Sequence, residues 1–235
     1  MSDETLTALL DELARPDEPL TDWHPLLPSR LSPTQQAMGE GRCWEQVRRV
    51  YVKGERMRPG SALIAGSADH TAWNVNWDQK ITSGEDLPLS VVQDAYSTAL
   101  DAKIEEAGGF DGIDWKEKPG KVRDLGAAGV AAYHPVAGSV QPVRVEQKIE
   151  LHFDSVPVPV IGYPDVEMAA AIVERKTTGK SERAPKSHWR SQALTYQAAL
   201  GKEVAWHTTY AYETPKTGKQ VSGVNTPAEY ERIMT

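Results

Sequence analysis

The stretch from Val160 to Thr178, VIGYPDVEMAAAIVERKTT, places Asp165 ahead of a Glu-x-Lys triplet, Glu174-Arg175-Lys176, with eight residues between them. Apolar runs lead into both, over residues 156–161 and 169–173. Short apolar runs separated by turn residues read as two adjacent strands of a hairpin. Such a hairpin brings two carboxylates and one ammonium to one place. Carboxylates held close repel unless a cation stands between them, and a hard divalent ion, which prefers oxygen ligands, supplies it. A lysine beside the ion then holds or activates a water. Together these groups imply metal-assisted phosphodiester hydrolysis.

The rest of the chain narrows the setting. Its 235 residues are enough for one large domain or two small ones. No apolar run is long enough to span a bilayer, and the acidic start MSDETLTALLDELARPDEP lacks the layout of a signal peptide. The single cysteine, Cys43, excludes an internal disulfide and a cysteine-cluster metal site made by one chain. It reads as a small buried apolar residue, and the implied compartment is a reducing cytoplasm. A net charge of −7 argues against a broad electrostatic grip on nucleic acid. Two segments run against that balance. Residues 41–60 carry Arg42, Arg48, Arg49, Lys53, Arg56 and Arg58, and residues 175–190 carry Arg175, Lys176, Lys180, Arg183, Lys186 and Arg190. The second begins inside the Glu-x-Lys triplet and fits a narrow phosphate track.

Residues 1–30 form an acidic arm broken by Pro16, Pro19, Pro25 and Pro28, with room for a short helix at 6–13. Ser32 and Pro33 suit the N-cap and first position of a helix running to about Met38 or beyond. Residues 47–52 suit helix or strand. Ser67 can cap a helix bearing Ala68, Ala72, Trp73 and Trp77, with His70 in its first turn. A second helix spans about 90–107, stopped by Gly108-Gly109. A third carries Val122, Leu125, Gly126, Gly129, Val130 and Tyr133, its glycines pointing to close packing or a weak helix. Residues 143–151 alternate as one half-buried strand with Glu146 on its polar, solvated face. Strands over 156–165 and 169–177 follow, the first bulged or near an edge because of Pro157 and Pro159. Ser187 can cap a helix through Leu200, with Gly201 beyond it, and residues 203–211 alternate as a further strand. The order predicts an α/β fold, one mixed sheet with helices around it. No internal repeat is present. Trp73, Trp77, Trp189 and Trp206 read as core, and His134, His152, His188 and His207 lack ligand spacing.

These pieces together resemble the PD-(D/E)XK nuclease superfamily, and within it the RecB-like branch common in phage exonucleases. The resemblance covers roughly residues 31–212. LSPTQ with Cys43-Trp44 resembles the family's opening helix, GSADH sets His70 at the branch's motif histidine, and GYPD and VERK supply Asp165, Glu174 and Lys176. SQALTYQ supplies Gln192 and Tyr196. The resemblance implies a restriction-endonuclease-like core with an extra helical N-terminal part: an arm over 1–30, helices over 31–140, and the catalytic sheet over 141–212 of a single domain. It implies Mg²⁺ or Mn²⁺ held by His70, Asp165, Glu174 and the backbone carbonyl of Arg175. Lys176 would stabilise the developing charge, with Gln192 and Tyr196 positioning it or the scissile phosphate. Lys180, Arg183, Lys186 and Arg190 would hold the DNA backbone. One cysteine cannot hold the iron–sulfur cluster of some relatives. DNA is the implied partner. A recombinase, a single-strand-binding protein and further copies of the chain are the other candidates.

Overall fold

The computed structural model describes residues 29–35, 44–55, 57–154, 156–182, 184–186 and 189–228. The expectations for the acidic arm, Met38, Cys43, Arg183, Ser187 and His188 lie outside them. Three long helices come first: α1 (Ser61–Ser83), α2 (Leu89–Glu106) and α3 (Pro119–Ala137). Then come β1 (Arg144–Val145), β2 (Ile149–Phe153), β3 (Val156–Gly162), β4 (Val166–Glu167) and β5 (Ala171–Thr178). Helix α4 (Arg190–Leu200) leads into β6 (Glu203–Glu213) and β7 (Gln220–Asn225). The fold is α/β, an open mixed sheet of order β1-β4-β5-β6-β7 with a separate β2-β3 pair. All pairs in the five-stranded sheet are antiparallel except β5 with β6. Parallel neighbours need a crossover, and α4 provides it.

The helices pack on one face of this sheet. Trp73 and Trp77 of α1, Val92, Tyr96 and Leu100 of α2, and Val130 and Tyr133 of α3 form one core with Val166 and Val173 from the strands. Burying whole aromatic and branched side chains supplies roughly 1.5–3 kcal/mol each. The glycines of α3 reflect close packing: a Cβ at Gly126 would overlap the Tyr96 hydroxyl, so α2 and α3 meet where only glycine fits. Lys80 is buried and donates to Asp86 Oδ2 and to the Ala137 carbonyl, both at 2.8 Å, tying α1 to the loop before α2 and to the end of α3. On the opposite face, α4 lays Tyr196 against Ile172 and Ile149, and Trp189 stacks near Trp206 at 5.3 Å.

Several boundaries differ from those the sequence predicts. Helix α1 starts at Ser61, not near Ser67, because the Ser61 N–H is held by the Asp114 carbonyl at 3.1 Å. His70 therefore sits in its third turn. Residues 47–52 resolve as helical, a turn at Trp44–Val47 passing into a π-helical turn at Arg48–Val52. The strand expected over 143–151 is two short strands, broken at Glu146, whose φ of 45° turns the chain. The strand expected over 156–165 ends at Gly162 and, as β3, leaves the main sheet to pair with β2; only Val166–Glu167, beyond its expected end, runs beside β5. The Ser32 cap is present: Gln35 N–H donates to Ser32 Oγ at 3.2 Å, and Ser32 N–H to Gln35 Oε1 at 2.7 Å. Strand β7 lies beyond the last strand expected.

Candidate active site

The β4–β5 register pairs Val166 with Val173 and Glu167 with Ile172. Continued by one residue, it sets Asp165 opposite Glu174. The β1–β4 register pairs Val145 with Val166, and continued likewise it sets Glu146 opposite Asp165. Three acidic residues thus occupy one row across three adjacent strands, Glu146 and Asp165 beside the ends of β1 and β4 and Glu174 in the middle of β5. Glu146 is solvated as expected, with 43% of its side chain exposed, and its Oε1 also stands 3.3 Å from His70 Nδ1. The alternation of residues 143–151 hid this, because it runs straight through the turn at Glu146.

Side chains alternate along β5. Val173 and Arg175 face the three long helices, while Ile172, Glu174 and Lys176 face α4. Asp165, in the bend before β4, lies between these sides. His70 Nε2 donates to Asp165 Oδ1 at 2.7 Å and the Arg175 N–H to Asp165 Oδ2 at 2.7 Å. The Asp165 N–H donates in turn to Glu174 Oε1 at 3.0 Å. Glu174 Oε2 receives Gln192 Nε2 at 3.0 Å and Lys176 Nζ at 3.4 Å. Gln192 also donates to the Tyr196 hydroxyl at 3.0 Å, which donates to the Tyr163 carbonyl at 3.1 Å. One helical turn separates Gln192 from Tyr196, so both reach the same spot.

Glu174 is fully buried, and its pKa is raised to about 8, first by burial and then by the charge of Asp165. Asp165 goes the other way. Burial would raise it, but the hydrogen bond and charge of His70, with Lys176 and the Arg175 N–H, hold it below the usual carboxylate range. For His70, burial lowers the pKa, yet Asp165 and Glu146 outweigh burial and raise it.

Behind the strand lies a pair that the sequence did not suggest. The buried Asp69 accepts from Arg175 NH2 at 2.9 Å and from Thr177 Oγ1 at 3.1 Å. The Arg175 guanidinium carbon sits 4.2 Å from the centre of the Tyr133 ring and 4.9 Å from that of Trp73. A buried residue beside His70, and an arginine between Glu174 and Lys176, were the available signals.

The other basic residues stand apart. Lys180 is exposed in the turn after β5. Lys186 pairs with Glu182 at 3.3 Å, and with Arg190 it lines a cavity of about 500 Å³ beside Trp206, on the far side of α4 from Gln192.

Among the described residues, no three His, Cys, Asp or Glu side chains form a ready metal cage. The donor chemistry nevertheless fits a hard divalent ion. Two carboxylates and an imidazole lie close together, and three of the four carboxylate oxygens keep a lone pair beyond the single bond each accepts, Glu174 Oε2 accepting two. Glu174 lacks the positive charge that would hold it ionised. An ion entering between the acids would take the place of the His70–Asp165 contact. No described helix is long and apolar enough to cross a membrane.

No protein-family model matches the sequence, and no curated protein matches it. Among solved structures, a presumed exonuclease from Eubacterium rectale aligns at a TM-score of 0.41 and 11% identity, over 93% of this chain and 81% of its own. A second, SSO0001, aligns at a TM-score of 0.27 and 11% identity, over 77% of this chain and 74% of its own.

Proposed function

We propose that the chain is a metal-dependent deoxyribonuclease, an exonuclease that hydrolyses phosphodiester bonds from DNA ends. One observation carries this reading: buried Asp165 and Glu174 stand opposite each other in register, with Lys176 3.4 Å from Glu174 and His70 2.7 Å from Asp165. Two acids so placed need a counter-charge, and Lys176 alone leaves Glu174 drawn toward its proton.

His70, Asp165, Glu174 and the Arg175 carbonyl would hold Mg²⁺ or Mn²⁺. The ion would supply Lewis acidity toward the phosphate and an activated water. Lys176 would offset the negative charge that builds on the phosphate oxygens. Gln192, anchored by Tyr196, would keep Glu174 turned toward the ion. Lys180, Arg183, Lys186 and Arg190 would hold the sugar–phosphate backbone without reading sequence. The proposed setting is the cytoplasm, with DNA as the partner and no iron–sulfur cluster.

The test is cleavage of end-labelled linear DNA and covalently closed circular DNA with Mg²⁺, Mn²⁺ or EDTA, with Glu174→Ala as control. Metal-dependent loss of linear DNA alone is the expected result. Cutting of the circle would turn the reading to an endonuclease. Failure to cut either substrate with any metal would overturn it.

A further inference from the structure

A cavity of about 500 Å³, open to solvent, runs from the acidic cluster along the first three turns of α1. Its wall is one face of that helix: Ala62, Leu63, Gly66, Ser67 and His70 recur at helical spacing. His70 closes the cavity toward Asp165, and Lys103 of α2 stands on its border. Two features of this wall need explaining.

Leu63 is 64% exposed, an apolar side chain left on the wall of a polar site. Gly66 lies inside a helix, where it costs about 1 kcal/mol relative to alanine. No packing requires it, since a Cβ there would meet no atom within 4 Å. Arg175 also lines the cavity, but only 3% of its side chain is exposed, and its guanidinium lies against the Tyr133 and Trp73 rings rather than in the groove.

We propose that this groove carries one strand of single-stranded DNA away from the cleavage site, with the nucleotide next to the cut bond seated over Gly66. The inference rests on the nuclease reading and adds the path of the strand. The volume suits a single nucleotide, in the range of about 300–1,000 Å³ that holds small ligands. Leu63 offers apolar surface to a sugar or base. Lys103, partly exposed and paired with Glu106 at 2.8 Å, and the partly exposed Lys176 offer charge to phosphate, and Ser67 adds a hydroxyl to the wall. Gly66 is left without a side chain because the strand takes that space.

The test compares the parent chain with Gly66→Leu and Gly66→Ala. A short labelled oligothymidine is titrated by fluorescence anisotropy in Ca²⁺, Mn²⁺ binding is measured by calorimetry without DNA, and cleavage is followed in Mn²⁺. Gly66→Leu should weaken oligonucleotide binding by roughly tenfold or more, about 1.4 kcal/mol. Cleavage should fall in step, with Mn²⁺ affinity and melting temperature kept. Gly66→Ala should melt higher than the parent, as alanine favours the helix, and should weaken binding and cleavage less than Gly66→Leu does. If the leucine variant binds and cuts as the parent does, the strand runs elsewhere and the nuclease reading stands. If it loses Mn²⁺ binding too, or if alanine is as damaging as leucine, the groove is structural and the proposal fails. A parent chain that cuts no DNA with any metal removes both readings.

Discussion

The backbone N–H of Asp165 donates to Glu174 Oε1 at 3.0 Å, and the N–H of Arg175, next to Glu174, donates back to Asp165 Oδ2 at 2.7 Å. Each acid is therefore fixed by main chain belonging to the other's strand. Backbone donors cost little to order, because the sheet register has already placed them. The exchange holds two like charges at a fixed separation without cancelling either. It fixes the pair rigidly, and it leaves the charge problem on Glu174.

That problem is a stability statement. Glu174 keeps its proton in the folded chain up to about pH 8, against a usual value of 4.5. Across that window the unfolded state ionises first, so stability falls as pH rises. His70, raised from 6.5, acts with the same sign, its stabilisation being lost as pH climbs through its folded value. Asp165, held low, acts oppositely and matters only as pH falls past 3.8. The metal-free chain should thus melt higher at about pH 5 than at about pH 8.5. Glu174→Gln should remove most of that slope and raise the alkaline melting temperature, at about 2–4 °C per kcal/mol. Melting curves in EDTA across pH check this, and a parent curve that rises with pH refutes it.

Lys176 Nζ lies 3.4 Å from Glu174 and 5.5 Å from the centre of the Trp206 ring, with about a quarter of its side chain exposed. It contributes a mobile charge rather than a structural lock. Lys176→Met should leave the fold and Mn²⁺ affinity close to those of the parent, while cleavage drops by roughly 10²–10³. Calorimetry and cleavage on the same preparation separate the two effects. Equal cleavage rates would remove the assigned role.

Asp69→Ala should be the most damaging single change behind the site. It strands the Arg175 guanidinium, which already has two unpartnered nitrogens, in the core against Trp73 and Tyr133. Breaking a buried pair this way costs about 3–5 kcal/mol. Pairing Asp69→Leu with Arg175→Met removes both charges and should recover most of that loss. Denaturant titration of the four combinations gives the coupling directly. Additive losses would mean that the pair is not a unit.

What could be read from the residues was local. Asp165 and Glu174 are nine apart around a tight turn, so antiparallel pairing alone sets them opposite, and the helical spacing of Gln192 and Tyr196 puts both on one face. What could not be read depended on distant chain. The apolar run before Gly162 suits either sheet, and its departure to β2 is decided by contacts with Ile149, Leu151 and the Leu31 backbone. The true start of α1 is set by the Asp114 carbonyl, some fifty residues later. Strand β7 hides behind Gly223 and polar neighbours, the glycine serving a close approach to the Tyr210 hydroxyl. Asp69 meets Arg175 across 106 positions, and no spacing rule reaches that far.

Gly162 links that departing strand to the site. A Cβ there would lie 2.6 Å from Cε1 of the Tyr196 ring and 3.4 Å from Ile149 and Pro33 carbons, with no empty volume to take it. Gly162→Ala should therefore push the Tyr196 ring, whose hydroxyl accepts from Gln192 and donates to the Tyr163 carbonyl. Overpacking of this kind costs about 1–3 kcal/mol, so the variant should fold with a lowered melting temperature. Gln192 would lose its anchor and with it the hold on Glu174. Cleavage should fall further than stability explains, measured well below the melting transition. Restoring space with Gly162→Ala plus Tyr196→Leu should bring back stability but not cleavage. Recovery of both would mean that Tyr196 only fills volume, and that Glu174 is held by Lys176 and the Asp165 N–H alone.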